Sequence, residues 1–318
     1  VNSGRAATAT TIRAATAADR PHIFELMRAS IGWDDDPRLT ALFAWKHDTN
    51  PFGPSPAWVA VAGERIVGFR TFMRWEFVLD GHIVRAVRAV DTATHPDHQG
   101  RGIFRQLTLT GLDALQADGV DMVFNTPNDQ SRPGYLKMGW HVVGRLPLVM
   151  RPSRLASIAR LRGARVPAER WSMPTSMGEP PRFPARAAGV DAGGLVTNRR
   201  DAYLEWRYGL EPLAYRVLAL EDDTDALAVF RLRRRGSAVE AAVAELFATH
   251  RSQRRELLRA VARLDGVDYA AALSRNALAH RALSLRRIGP ILTARSISGF
   301  EIPPLPGWQL ALGDVELF

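Results

Sequence analysis

The sequence predicts an α/β (α+β) protein of two units built to one plan, each a central mixed, mostly antiparallel sheet flanked by helices. Three observations lead there. The chain has 318 residues, long for one domain and sufficient for two cores. Its pattern begins with helices, passes through a run of strands, and then alternates helix with strand, as a meander ending in crossover connections does. The same order returns in the second half.

Residues 1–10 read as a flexible leader and 11–150 as the first unit. A strand at Thr11-Ile12-Arg13 precedes a helix over Ala18–Ala29 that carries Ile23, Phe24, Leu26 and Met27. A second helix spans Pro37 to His47, with the acidic run Asp34–Asp36 as its cap. Trp58–Ala62, Arg65–Trp75 and Val78–Leu79 alternate or run apolar in strand fashion, parted by the turns Gly63-Glu64 and Asp80-Gly81. Val84–Thr94 is the next strand. After a glycine turn, Ile103, Leu107, Leu109, Leu112 and Leu115 keep helical spacing until Gly119. A strand at Asp121–Asn125, a helix around Ser131–Met138 and a last strand at Trp140–Val149 complete the unit.

Residues 151–183 read as a linker, basic and punctuated by Pro152, Pro167, Pro174, Pro180 and Pro181, with an amphipathic helix at Ser153–Arg162. The second unit, 184–318, has a helix at Asp201–Tyr208 and strands at Ala214–Leu220, Ala226–Leu232 and Val239–Phe247. Helix Gln253–Leu264, strand Tyr269–Leu273, helix Asn276–Leu283 and a final strand at Ile291–Ser296 follow.

Composition narrows the chemistry. There is no cysteine, which excludes disulfides, thiolate nucleophiles and cysteine zinc sites. No apolar stretch approaches the eighteen or more residues of a membrane span, so the reading is cytoplasmic with no membrane partner. The net charge is +9, with arginine clusters at Arg151–Arg170, Arg231–Arg235, Arg251–Arg255 and Arg281–Arg287. They lack interleaved aromatics or a DNA-binding motif, so they read as solvated helix faces and nucleic acid is not an expected partner. A polyanionic cofactor would also profit from them.

The run His95-Pro96-Asp97-His98-Gln99-Gly100-Arg101-Gly102-Ile103-Phe104 carries the strongest signal. Two glycines between a strand and a helix bare backbone N–H groups, and the first helical turn leaves its donors unpaired, so the segment is an anion cradle. A nucleoside-triphosphate loop needs Lys-Ser or Lys-Thr after its last glycine, but Ile103-Phe104 follow here. A dinucleotide fingerprint needs a third glycine where Arg105 stands. Gln99-x-x-Gly102 instead resembles the Q/R-x-x-G-x-G/A signature of the GNAT superfamily of N-acetyltransferases, departing from it at Phe104, where that family prefers Gly or Ala. A second segment, Asn128 to Tyr135 and on to Gly139-Trp140, resembles the same family's N-x6-Y-x-x-x-G-F run, with Trp for Phe.

The resemblance is to the tandem-GNAT type, with an active N-terminal and a degenerate C-terminal domain, each with a splayed sheet. It implies acetyl-CoA as co-substrate, with Thr92, Ala93 and Thr94 pairing with the pantetheine arm. Gln99, Gly100, Arg101, Gly102, Ile103 and Phe104 would meet the pyrophosphate, Asn128 a pantetheine amide, and the Tyr135 hydroxyl would lie near the sulfur. The junction Phe247–Glu256, in the place of the phosphate turn, has no glycine, so the second copy is expected to be structural.

Amide formation requires a neutral amine to attack the thioester and a proton for the departing thiolate. Tyr135 is the expected acid. Backbone N–H groups around Thr92–Ala93 would stabilise the oxyanion. Asp91 is the only carboxylate of the central strand and the candidate base, with water or the terminal carboxylate of Phe318 as alternatives. The acceptor, a small-molecule or peptide amine, is expected near Trp45, Lys46, Asn50 and Phe52, where the first helices and their loop combine aromatic and polar groups. His95 and His98 have no third ligand nearby in sequence, so no metal is expected. A homodimer is compatible with this reading. A non-catalytic acyl-CoA sensor or partner protein, and an aminoacyl-tRNA-dependent transferase of related fold, are the competing readings.

Overall fold

The computed structural model describes residues 9–154, 157, 160, 166–183, 193–220, 223–273, 283–285 and 289–315. The first eight residues of the expected leader, most of the expected helix at 153–162, the expected helix at 276–283 up to Leu283, and Phe318 lie outside the described residues.

Arg65–Leu79 (β3) and His82–Thr94 (β4) form a long antiparallel hairpin. It is closed by Asp80 and Gly81 at φ 49° and 78°, a left-handed pair that matches the twist of the flanking strands. β3 runs unbroken where two strands were expected. Thr10–Ala14 (β1) and Ala57–Ala62 (β2) extend the sheet antiparallel on one side, and Met122–Asn125 (β5) joins parallel to β4 on the other. Arg20–Ile31 (α1) and Pro37–His47 (α2) contribute to one face, where Ile23, Met27, Phe43 and Phe69 pack together. Asp36 caps α2 by accepting the N–H of Arg38, as its acidic run suggests.

Ile103–Ala117 (α3) lies on the opposite face and approaches the sheet closely. A Cβ on Gly68 of β3 would sit 2.6 Å from Ile103, and one on Gly111 of α3 would sit 2.7 Å from Phe72. A glycine inside a helix costs about 1 kcal/mol relative to alanine, and here the contact with Phe72 and Trp58 requires it. Arg132–Lys137 (α4) follows β5.

The boundary expected near residue 150 does not divide the two sheets. Trp140–Val149, expected as one strand, is broken at Pro147, which has no N–H for a ladder. It becomes His141–Arg145 (β6) and Leu148–Pro152 (β7). β6 stays at the edge of the first sheet, whereas β7 crosses into the second. Val196–Thr197 (β8) pairs back on β3 in the first sheet, and Arg216–Leu220 (β9), Asp223–Arg235 (β10), Ala238–Phe247 (β11), Tyr269–Leu273 (β12) and Leu283–Leu285 (β13) follow in the second. The second sheet has the order β13-β7-β12-β11-β10-β9, and Ile291–Ser296 (β14), expected to end it, lies between β5 and β6 in the first. Each sheet therefore takes its next-to-edge strand from the other half of the chain.

Asp201–Gly209 (α5) joins the halves through side chains. Trp45 and Trp206 stack with centroids 4.7 Å apart, and each indole N–H donates to the other's backbone carbonyl, at 2.6 and 2.8 Å. Arg251–Ala262 (α6) covers the second sheet with Leu257, Leu258 and Val261. The short helix Leu312–Val315 (α7) packs on β11. Its Asp314, fully buried, accepts from Arg199 at 2.7 Å, and the same guanidinium binds Glu245 at 3.0 Å. Burial opposes the Arg199 charge, but Asp314 and Glu245 outweigh it and hold the cation. The arginines are thus not all solvated helix faces: Arg231 and Arg233 lie on β10, with Arg231 fully buried and Arg233 donating to Glu240 at 2.6 Å. Among the described residues no helix is long and apolar enough to cross a membrane.

Candidate active site

Strand geometry makes the site. β4 pairs with β5 only from Ala86 opposite Met122 to Arg88 opposite Phe124, yet β4 continues to Thr94. Beyond Arg88 the two parallel strands part. A cavity of about 240 Å³ opens there, bordered by Arg88 to Thr92, Asn125 to Pro127, Ser131, Lys46, Tyr135 and Val315. The resemblance had implied such a splay with Thr92 and Tyr135 beside it, and the residues themselves had offered Asp91 and Lys46; these four line one cavity.

A β-bulge falls at Asp91. Arg70 faces Thr92 and Thr71 faces Val90, so Asp91 is the extra residue, at φ 38°. Such a conformation costs on the order of 1–3 kcal/mol for a residue with a side chain and persists only when its surroundings hold it. Here Asp91 Oδ2 accepts from Lys46 Nζ at 2.5 Å and His47 Nε2 at 2.9 Å. Burial pushes the Asp91 carboxyl up, but the Lys46 charge and the His47 hydrogen bond outweigh it and hold it far below the usual carboxylate range. A general base works best with a pKa near the operating pH. The geometry therefore makes Asp91 an anchor for α2 rather than the base expected from the sequence.

Burial lowers the His47 pKa, with the Asp91 hydrogen bond opposing. Its Nδ1 lies 3.0 Å from Ser55 Oγ. Because the folded value is depressed, the unfolded chain binds the extra proton first: the His47 contribution is complete above about pH 6.5 and declines as pH falls below it. Asp91, also depressed, adds its own loss only below about pH 4. Melting temperature measured between pH 7.5 and 5.5 is expected to fall more steeply in the native protein than in His47→Gln. Parallel curves would contradict this.

The glycine turn stands at the end of the same strand. Gly100 and Gly102 have φ 74° and 76°, and Gly102 is the N-cap of α3. A cap without a side chain leaves the first-turn donors unclaimed. Gln99, Gly100, Arg101 and Gly102 are exposed, Ile103 is buried against Gly68, and nothing lies within 4 Å of where a Gly100 Cβ would be. An open, left-handed, donor-rich turn fits a diphosphate. Thr92 and Thr94 are half-buried and Ala93 is buried, all past the point where β5 leaves. Asn128 is exposed, and its Oδ1 accepts from the Ser131 N–H and hydroxyl at 2.8 and 2.9 Å, closing the turn that leads into α4.

Residues 11–143 match the family model described as an acetyltransferase (GNAT) domain. No curated protein matches in sequence. Over 92% of the chain, the fold resembles a probable N-acyltransferase from Enterococcus faecalis, with TM-score 0.64, 12% identity and 73% of that chain covered. A GCN5-related N-acetyltransferase from Kribbella flavida gives 0.63 and 16%, covering 92% of this chain and 72% of that one. Another from Anabaena variabilis gives 0.61 and 12%, covering 91% and 73%.

Within the matched segment, Phe104 stands at the position where the signature it resembles has a small residue. Its ring meets Tyr135 edge-on, 5.4 Å between centroids, and lies 5.6 Å from the Arg70 guanidinium. A Cβ on Gly134 would come within 3.2 Å of that ring, so the bulky side chain at 104 and the missing one at 134 fit each other. The Tyr135 hydroxyl accepts from Arg70 Nη1 at 2.8 Å.

Of the residues expected to meet the acceptor, only Lys46 reaches the cavity where β4 and β5 part. Trp45 is spent on Trp206, and Phe52 stacks on Tyr203 at 5.4 Å. Asn50 locks its own loop, donating to Arg74 O at 2.9 Å and accepting from the Phe52 N–H. Arg70, Arg88, Asn125 and Thr126 were not singled out from the sequence. Arg88 donates to the carbonyls of Asp314 and Val315 and to Thr126 Oγ1. Its signal was present: a charged residue inside a strand that is apolar on both faces needs a partner.

Proposed function

We propose that the chain is an acyl-CoA-dependent N-acyltransferase, moving an acetyl group from acetyl-CoA to a primary amine of a small molecule or peptide. One observation carries it: the cavity where β4 and β5 part is bordered by Tyr135, and the glycine cradle stands at the end of the same strand. Bound acetyl-CoA supplies an activated carbonyl and a thiol leaving group. The turn from Gln99 to Phe104 holds its diphosphate through backbone N–H groups, and the β4 edge from Thr92 to Thr94 orients its amide arm as an added strand would. Tyr135 Oη holds the proton that the departing sulfur needs. Asp91 keeps Lys46 and His47 in place, and the ammonium proton of the acceptor passes to water.

The assay is thiol release from acetyl-CoA across a panel of primary amines, compared with Gly102→Asp. An aspartate there adds a left-handed strain and a negative charge against the phosphates. Losing two charge-assisted hydrogen bonds corresponds to about a hundredfold weaker CoA binding. Unchanged affinity in Gly102→Asp would show the cradle to be elsewhere. CoA binding without turnover of any amine would favour the non-catalytic acyl-CoA-binding reading.

A further inference from the structure

The Tyr135 proton is governed by a residue buried beneath it. We propose that Arg70 is a positioning residue for acid catalysis by Tyr135: its guanidinium directs the phenolic proton toward the cavity and balances the charge left when that proton departs. The inference rests on Tyr135 being the acid.

Arg70 sits on β3 with no exposed surface. Its Nη1 lies 2.8 Å from Tyr135 Oη. A guanidinium has five donors and no acceptor, so this bond has one reading: Oη accepts, and its own O–H must point elsewhere. Tyr135 borders the cavity and Arg70 does not, which leaves the cavity as the open direction for that proton.

The surroundings of the cation are unusual. Buried arginines are ordinarily neutralised by a carboxylate, because an isolated charge is costly in a medium of low dielectric. Among the described residues, Arg70 Nε and Nη2 have no hydrogen-bond partner. Three aromatic rings surround the guanidinium instead: Phe72 at 4.5 Å, Tyr135 at 5.3 Å and Phe104 at 5.6 Å. An apolar side chain would fill such a space at less cost. An anion formed at Oη would be the missing counter-charge.

The step balances in this form. Once the amine nitrogen has bonded to the thioester carbon, the oxyanion re-forms its C=O bond, the C–S bond breaks with its electron pair on sulfur, the Oη–H bond breaks, and an S–H bond forms. The negative charge moves to Oη, beside Arg70 Nη1, and water then returns a proton to Oη. No oxidant or other co-reactant takes part.

The test is a double-mutant cycle on the full chain: Arg70→Met, Arg70→Lys and Tyr135→Phe, singly and combined. Thiol release from acetyl-CoA with the best amine of the panel is followed, together with CoA affinity. Arg70→Met is expected to lower kcat about 10–10²-fold, with the amine KM and CoA Kd little changed. Arg70→Lys, which keeps a charge and a donor, is expected to recover part of the loss. With Tyr135→Phe already present, neither change should lower kcat further. If Arg70→Met does not fold, the same comparison is made with Arg70→Lys. Losses that multiply in the double variants, or that appear in KM and Kd, would show a structural role and overturn the proposal while leaving the Tyr135 assignment standing. Full turnover in Tyr135→Phe alone would overturn both.

Discussion

Replacing Tyr135 with phenylalanine is expected to lower acetyl-CoA turnover by about 10²–10⁴-fold while CoA binding persists. The hydroxyl borders the cavity, and the ring packs against Phe104 and Trp140, 5.4 and 5.1 Å between centroids. Phenylalanine retains both ring contacts, so the α4 segment and the parting of β4 from β5 should survive. What disappears is the one O–H that Arg70 leaves pointing away from itself. The measurement is kcat from thiol release beside a calorimetric Kd for CoA. A variant with full turnover would remove Tyr135 as the acid; one with weakened CoA binding would make its role one of affinity.

The second large effect lies in the buried ion network around Asp314. Asp314→Ala is expected to destabilise the protein by about 3–5 kcal/mol, a fall in melting temperature on the order of 10 °C. The carboxylate accepts from Arg199 at 2.7 Å, from the Ala311 N–H at 2.6 Å and from Tyr203 at 3.3 Å, and it has no exposed surface. Its removal leaves the buried Arg199 guanidinium with the Glu245 carboxylate and the Thr197 carbonyl. Arg207 also donates to the Gly313 carbonyl and Arg88 to those of Asp314 and Val315, so α7 links the second sheet to β4. A melting temperature within about 2 °C of the native protein would contradict this.

How far the sequence could be read divides along physical lines. Local rules were sufficient for the β3–β4 turn, the left-handed glycine turn before α3 and the cap of α2, because each is decided within a few residues. The strand exchange was not legible. Leu148–Pro152 and Ile291–Ser296 show the same apolar pattern whichever sheet they join, and only long-range packing chooses between them. Trp45 and Phe52 were misplaced for a similar reason: an aromatic residue on a helix or in the turn after it looks the same whether it meets a substrate or a neighbouring helix. Arg70 was readable in part, since Val67-Gly68-Phe69-Arg70-Thr71-Phe72-Met73 is apolar on both faces. An arginine inside such a strand cannot be solvated.

The two halves also differ where a cofactor would bind. β11 and β12 run parallel over Glu240–Ala242 and Tyr269–Ala271, as β4 and β5 do. The helix that follows, however, begins at a His250 cap that forms a box with Gln253, whose Oε1 accepts the His250 N–H at 2.8 Å. Those donors are claimed, whereas Gly102 leaves its own unclaimed. Titrating CoA into the native chain by calorimetry tests this contrast most directly. One equivalent per chain, abolished by Gly102→Asp, is the expected result; two equivalents, or none, would contradict it.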